Sequence, residues 1–281
     1  LVKRKTELIS KIKVPMSQPA FDSETENYMF DVIKSGWWSQ GKITKQFEKN
    51  LSEYFPSNAV VVNNGTSAIT AALLAHGIKP GDKVVVPDYT FIATCSAAKI
   101  IGAEILVADV DPNTLNVKPQ SIEKLVKEND VKAVMVVDMA GLPVDLEPII
   151  ELSKRYKFVL IEDAAQAIGS EYKNKKIGSF EHTATFSFTV AKIITTIEGG
   201  CITTGNKEIL EKLFQLRNFG RSGDGQYVHI LNSVNFRFND IQAALGIKQL
   251  EKIDNFITRR IEIAKMYEEN IENVTFQHTP D

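Results

Sequence analysis

Apolar residues recur at helical spacing over 20–33 and again over 43–54, with Gly36-Trp37-Trp38-Ser39-Gln40-Gly41 as the turn between them. From residue 58 the texture changes to short apolar runs alternating with longer amphipathic stretches. The runs 59–62, 83–87, 104–108, 133–137 and 158–161 have four or five residues each and are rich in Val and Ile, which suits strands covered on both faces. Helical spacing fills the intervals at 68–76, 91–101, 121–128 and 146–156. This alternation predicts an α/β fold: a mostly parallel sheet flanked by helices, with ligands bound at the carboxyl ends of its strands.

Past Asp163 the pattern predicts short strands at 170–172, 183–188 and 201–204, joined by tight turns without helices, so a few antiparallel strands should close the sheet. Helices follow at 207–216 and 239–250. A long amphipathic helix at 253–270 carries Ile261, Ile263, Met266 and Tyr267 on its apolar side and leads toward a second domain. The expected organisation is a large domain over 1–250, including a polar leader and the N-terminal helices, and the start of a small domain over 251–281. Residues 273–276 read as a strand opening that new unit. The chain begins at Leu1 without methionine and stops at Pro280-Asp281, so a truncated product is expected.

Composition narrows the function classes. The 281 residues are 43% hydrophobic and 24% charged with a net charge of -2, an ordinary globular balance without a basic footprint for nucleic acid. No apolar run approaches the ~20 residues that spanning a bilayer requires, and no export signal opens the chain. Cys95 and Cys201 lack CxxC spacing, which fits a cytoplasmic protein. His76, His182, His229 and His278 are scattered and predict no metal site.

The chemistry centres on Lys192, set among apolar and β-branched residues in Phe186-Ser187-Phe188-Thr189-Val190-Ala191-Lys192. Desolvation favours the neutral amine, the form that attacks a carbonyl. An edge-strand lysine that blocks strand pairing fits the same stretch. Asn64-Gly65-Thr66-Ser67 opens a helix after a strand, as a phosphate site or a plain N-cap does. Asp163 stands at a strand's carboxyl end, where it can hold a proton on a heteroaromatic nitrogen or cap the next segment. Phe91 is either a ring-stacking face or core, and the tryptophan pair either a packed corner or a ligand-lining loop. No GxGxxG or Gly-Lys-Ser/Thr pattern points to a dinucleotide or nucleoside triphosphate. Pyridoxal phosphate accounts for all of these at once, needing a phosphate cradle, a stacking face, a carboxylate for the pyridine nitrogen and an imine-forming lysine.

From about Ser35 to Leu250 the chain resembles the DegT/DnrJ/EryC1/StrS family of pyridoxal phosphate-dependent nucleotide-sugar aminotransferases. The motifs that carry the resemblance include Gly36 to Gly41, Asn64-Gly65-Thr66-Ser67-Ala68, Pro87-Asp88-Tyr89-Thr90-Phe91, Glu162-Asp163-Ala164-Ala165-Gln166, Phe186-Ser187-Phe188 through Lys192, Glu198-Gly199-Gly200 and Asn235-Phe236-Arg237. The resemblance implies an aspartate aminotransferase-like, fold type I large domain. It makes Lys192 the catalytic lysine that holds pyridoxal 5'-phosphate and Asp163 the partner of its pyridine nitrogen. It puts Gly65, Thr66, Ser67 and Ser187 on the phosphate, Phe91 on the ring face and Gln166 near the ring hydroxyl. Asn235 would reach the phosphate from the neighbouring subunit of a homodimer with shared active sites, and Trp37, Trp38 and Ser39 would line the sugar pocket.

The implied reaction moves an amino group from glutamate to a nucleotide-linked keto-deoxysugar, as in polysaccharide biosynthesis. The alternatives are a family dehydratase, which carries histidine in place of Lys192, and a non-catalytic or truncated relative that only binds cofactor or nucleotide sugar. Thr189, Ile193, Ile197 and Asp138-Met139-Ala140-Gly141 depart from the family's usual residues around the substrate.

Overall fold

Side chains alternate between the two faces of a strand, so a strand apolar at every position needs cover on both sides. The computed structural model describes residues 17–223 and 227–279; most of the polar leader and the terminal Pro280-Asp281 lie outside them. The strands β1 (Asn58–Val62), β2 (Lys83–Pro87), β3 (Glu104–Ala108), β4 (Val131–Val137), β5 (Val159–Asp163), β8 (Thr183–Ser187) and β9 (Gly200–Thr204) form one sheet in the order β1-β9-β8-β5-β4-β2-β3. Parallel ladders join β3, β2, β4, β5 and β8 in turn, and β9 runs against both of its neighbours, β8 and β1. The predicted mostly parallel sheet is therefore present, with β9 as its antiparallel insert.

Val61, Val85, Val134, Val136 and Leu160 face one core, while Val60, Val62, Val84, Val86, Met135 and Ile161 face the other. The first core takes Phe47 and Leu51 of α2 (Lys42–Tyr54), Ile122 of α5 (Pro119–Glu128), Leu146 and Ile149 of α6 (Leu146–Tyr156), and Ile247 of α8 (Asp240–Leu250). The second takes α3 (Gly65–Ala75) through Ala68 and Leu73, α4 (Ile92–Ile100) through Ala97, and α7 (Lys207–Arg217) through Leu213. α1 (Ser23–Lys34) lies outside, against α8. Each strand end thus projects between two helical layers, and β1, β5 and β8 carry the chemistry-bearing residues to that edge.

Three expectations change. The strand expected at 170–172 does not join the sheet: β6 (Glu171–Tyr172) pairs only with β7 (Lys175–Lys176), because Lys173 and Asn174, both at positive φ, turn the chain back in two residues. Residues 273–276 form no strand. That segment is held by Gln277, whose amide donates to the carbonyls of Thr114 and Met139, and by the His278 N–H on the Asn113 carbonyl, which replaces a ladder with isolated contacts. The helix α9 (Ile253–Asn270) forms as expected, but of its residues only Ile253 is buried, and the apolar Ile261, Met266 and Tyr267 are exposed.

Candidate active site

Asn64 caps α3, its Oδ1 accepting the Ser67 N–H at 2.8 Å while its carbonyl takes the Ala68 N–H. The first two N–H groups of the helix, at Gly65 and Thr66, have no intrahelical acceptor and sit at the positive end of the dipole. The end of β8 comes up against this turn. A Cβ placed on Gly65 would lie 2.9 Å from Cβ and 3.1 Å from Oγ of Ser187, so glycine is what keeps room between the two. The result is a cradle of two N–H donors faced by the Ser187 hydroxyl.

This cradle forms one end of a cavity of about 390 Å³ that also receives Phe91, Asp163, Gln166 and Lys192. Phe91 precedes α4 and is 70% exposed, which rules out the core reading and leaves its ring free at the cavity wall. Asp163 is the last residue of β5 and buried. Its Oδ2 accepts the Thr94 hydroxyl at 2.7 Å and its Oδ1 the Ala165 N–H at 3.2 Å. Burial raises its pKa, and those two donors with the nearby Lys192 ammonium oppose the rise. Gln166 accepts the Ala140 N–H on its Oε1 at 3.0 Å, so its amide nitrogen remains available as a donor.

Lys192 is half-buried. It does not lie on a strand: β8 stops at Ser187, and the loop after it is fixed by the Phe188 N–H on the Gly199 carbonyl and the Thr196 N–H on the Phe188 carbonyl. The edge-strand reading therefore fails. Burial lowers the lysine's pKa, with Asp163 pulling the other way, so the free amine is more accessible than on an exposed lysine.

Other expected residues fall elsewhere. Ser67 does not line this cavity. Its N–H is taken up by Asn64, and its side chain faces an adjoining cavity of about 800 Å³ that shares Asn64 and Thr66. Trp37 and Ser39 border a third cavity, about 900 Å³, with Arg237 and Asp240. Trp37 is 61% and Trp38 56% exposed, so the pair is not a packed corner, and Trp38 Nε1 donates to the Ile33 carbonyl. Asn235 is exposed and outside the first cavity, its Oδ1 accepting from the Arg237 backbone N–H and Nε.

Sequence alone gives several further residues no role. Thr94 holds Asp163, and Thr90 in turn pairs with the Thr94 hydroxyl at 2.8 Å. Glu198 lines the cavity and accepts the Thr189 hydroxyl at 3.1 Å. Hydroxyl residues four apart at a helix start are common, so only the placement of Asp163 distinguishes this pair. The donor set fits pyridoxal phosphate: unpaired N–H groups and a hydroxyl suit its phosphate, a free aromatic face its ring, a buried carboxylate its pyridine nitrogen and an amine of lowered pKa its aldehyde.

The sequence model of the DegT/DnrJ/EryC1/StrS aminotransferase family matches residues 19–281. GDP-perosamine synthase of Caulobacter vibrioides is 37% identical over 261 residues, which cover 92% of this chain and 70% of that protein. The crystal structure of 3-amino-5-hydroxybenzoic acid synthase superposes with a TM-score of 0.89 at 31% identity, covering 93% of this chain and 70% of that one. E. coli GDP-4-keto-6-deoxy-D-mannose-3-dehydratase with bound hydrated pyridoxal phosphate superposes at 0.86 with 27% identity, covering 93% and 73%.

Proposed function

The chain belongs to the DegT/DnrJ/EryC1/StrS aminotransferase family, and from that premise we propose that its cavity transfers an amino group from glutamate to the keto carbon of a nucleotide-linked deoxysugar. The protein is a pyridoxal phosphate-dependent aminotransferase whose large domain has the fold type I architecture. The observation that carries the reading is the convergence of Lys192, Asp163 and the Gly65 cradle on one cavity.

When bound, pyridoxal phosphate supplies the aldehyde that carries the amino group and a ring that takes up electrons from the reacting carbon. The Gly65 and Thr66 N–H groups and the Ser187 hydroxyl would bind its phosphate, and Phe91 would cover one ring face. Asp163 holds a proton on the pyridine nitrogen, which its burial makes effective. The Gln166 amide orients the ring hydroxyl. Lys192 would hold the cofactor through its aldehyde carbon and, as a free amine, would serve as the base and acid that moves a proton at the reacting carbon, a task favoured by the lowering of its pKa by burial.

Asn235, exposed here, completes the phosphate site of a second copy of the chain, and Trp37, Trp38 and Ser39 line the sugar pocket of the resulting homodimer. The two free cysteines suit a cytoplasmic enzyme. Among the described residues no helix is long and apolar enough to cross a membrane. Lys192 itself separates this reading from the dehydratase alternative, for which the sequence resemblance implies histidine at that position.

The test is a panel of GDP- and UDP-linked keto-sugars offered with glutamate, with aminated products followed by mass. Lys192→Ala should abolish both product and the visible imine band. A retained band in that variant, or glutamate failing to convert the aldehyde form to the amine form, overturns the assignment.

A further inference from the structure

Behind Asp163, on the opposite face of β5, three ionisable side chains lie together without reaching the cavity. Asp138 and Glu162 are fully buried and His182 nearly so. His182 Nε2 and Glu162 Oε2 are hydrogen-bonded at 3.0 Å. Asp138 Oδ1 accepts the Val144 N–H at 3.0 Å. The oxygens left over, Asp138 Oδ2 and Glu162 Oε1, are buried and have no hydrogen-bond partner. Two fully buried carboxyl groups at neighbouring strand ends, each left with a bare oxygen, cannot both stay ionised, so a proton belongs to the pair.

The cluster grips both sides of the ring site. Asp138 is the first residue past β4, and its N–H donates to the Asp163 carbonyl at 3.3 Å, extending the β4–β5 ladder to the residue that faces the pyridine nitrogen. Its side chain also fastens the turn over 139–144. In that turn Ala140, held at a left-handed φ of 55°, presents its N–H to Gln166. We propose that Asp138, Glu162 and His182 form a proton-sharing triad whose role is to position Asp163 and Gln166 under the ring. The proposal rests on the assignment of this cavity to pyridoxal phosphate, and the three are positioning residues that touch neither cofactor nor substrate.

Burial raises both carboxyls, Glu162 to about 8, and repulsion from Glu162 adds to the rise on Asp138, while burial pushes His182 down to about 4. Two further charged groups act on the triad: Asp163, which adds to the repulsion on Asp138, and Lys175, which helps keep His182 neutral. The shared proton is therefore in place at neutral pH. Because Glu162 is raised above its unfolded value of about 4.5, its stabilising contribution is complete below that value and is lost as pH rises through about 8. Two carboxylates then repel across the strand ends that carry Asp163 and Gln166.

Two measurements on the full chain test this. In the cofactor-free protein, ¹⁵N spectra of the imidazole should show His182 neutral and protonated on Nε2 down to about pH 5. In Asp138→Asn the amide donates to Glu162, which ionises, and His182 should then titrate at least about one unit higher. In the loaded protein, cofactor should dissociate about tenfold faster once pH passes about 8, a scale typical of residues behind a ligand, and both Asp138→Asn and Glu162→Gln should flatten that profile. A wild-type His182 titrating near its ordinary value, or variants that keep the wild-type pH profile, overturns the proposal. Failure to bind pyridoxal phosphate at all would instead sink the functional reading, and the imidazole spectra would still decide whether the triad exists.

Discussion

The Thr94 hydroxyl donates to Asp163 Oδ2 at 2.7 Å, from one turn inside the helix that Phe91 caps. One short element thus supplies both a ring face to the cavity and a donor to the carboxylate that meets the ring nitrogen. Thr94 is fully buried, so no water replaces it when it is removed. Because its hydrogen bond lowers the pKa of Asp163, Thr94→Val should raise that pKa and weaken the grip on the pyridine nitrogen. A bond to a charged group is worth about 1.5–3 kcal/mol, so cofactor affinity should fall by about tenfold or more in a fluorescence titration. Unchanged affinity would mean that Asp163 is held adequately by Ala165 alone.

The cradle makes a sharper demand on size than on charge. Gly65→Ala puts a methyl 2.9 Å from the Ser187 Cβ, closer than two carbon atoms pack, and α3 or β8 must give way where the phosphate binds. Overpacking of this kind costs about 1–3 kcal/mol. The variant should fold, with its Tm lowered by a few degrees, and should retain pyridoxal phosphate poorly through gel filtration while the wild type retains it.

Lys192 carries a stability signature of its own. Its pKa is lowered by burial, so the unfolded chain binds its proton more tightly, and the cost of burying the charged form is present at neutral pH and fades as pH rises toward the unfolded value. In cofactor-free protein, Lys192→Met should therefore be more stable than wild type at neutral pH. The difference should shrink as pH approaches about 10. Denaturant titrations at several pH values give the answer, and a constant difference would attribute the effect to packing.

The architecture was legible because β-branched runs and glycine stops mark each βα unit locally, and Lys83–Pro87, Glu104–Ala108 and Leu146–Tyr156 fall where the pattern put them. Convergence of Gly65, Phe91, Asp163 and Lys192 followed from their places at strand ends. The features that escaped depend on contacts between distant segments. Glu162 alternates with Asp163 along one strand and reads as part of a motif, but its partners lie 24 residues before it and 20 after, so nothing local marks Asp138 or His182 as its neighbours. The strand expected at 273–276 failed for the opposite reason: its local pattern is suitable, but it finds no partner strand among the described residues.

A buried ion pair anchors the edge of the sheet beside the cradle. Glu48 of α2 accepts the Val61 N–H at 3.0 Å and pairs with Arg217 of α7, which also donates to the Val61 carbonyl. Both residues are buried. Arg217→Met should cost about 3–5 kcal/mol because Glu48 is left as an unpaired buried charge. The double variant with Glu48→Gln should recover much of that loss, which chemical denaturation can resolve. No recovery would show that the bond to the Val61 carbonyl carries the stability.

The tryptophan loop is tied to the segment bearing Asn235 and Arg237. The helix α2 starts at Gly41, which has no side chain to cap it, and Asp240 supplies the cap from about 200 residues away. Its Oδ1 accepts the Gly41 N–H at 2.8 Å, the Thr44 N–H at 2.9 Å and the Thr44 hydroxyl at 2.7 Å, while its Oδ2 takes the Ile43 N–H at 3.2 Å. The Asp240 N–H returns a bond to the Trp38 carbonyl at 3.2 Å. Asp240→Ala removes every side-chain acceptor and leaves these donors buried, at a cost of about 2 kcal/mol or more for the cap alone. Trp37, Trp38 and Ser39 then lose their fixed position relative to Arg237, whereas the cradle, Asp163 and Lys192 are untouched. If the loop lines the sugar pocket, KM for the nucleotide sugar should rise by about tenfold or more with kcat for the amino donor half-reaction unchanged. Equal losses in both half-reactions would place the effect in global stability and remove the loop from the substrate site.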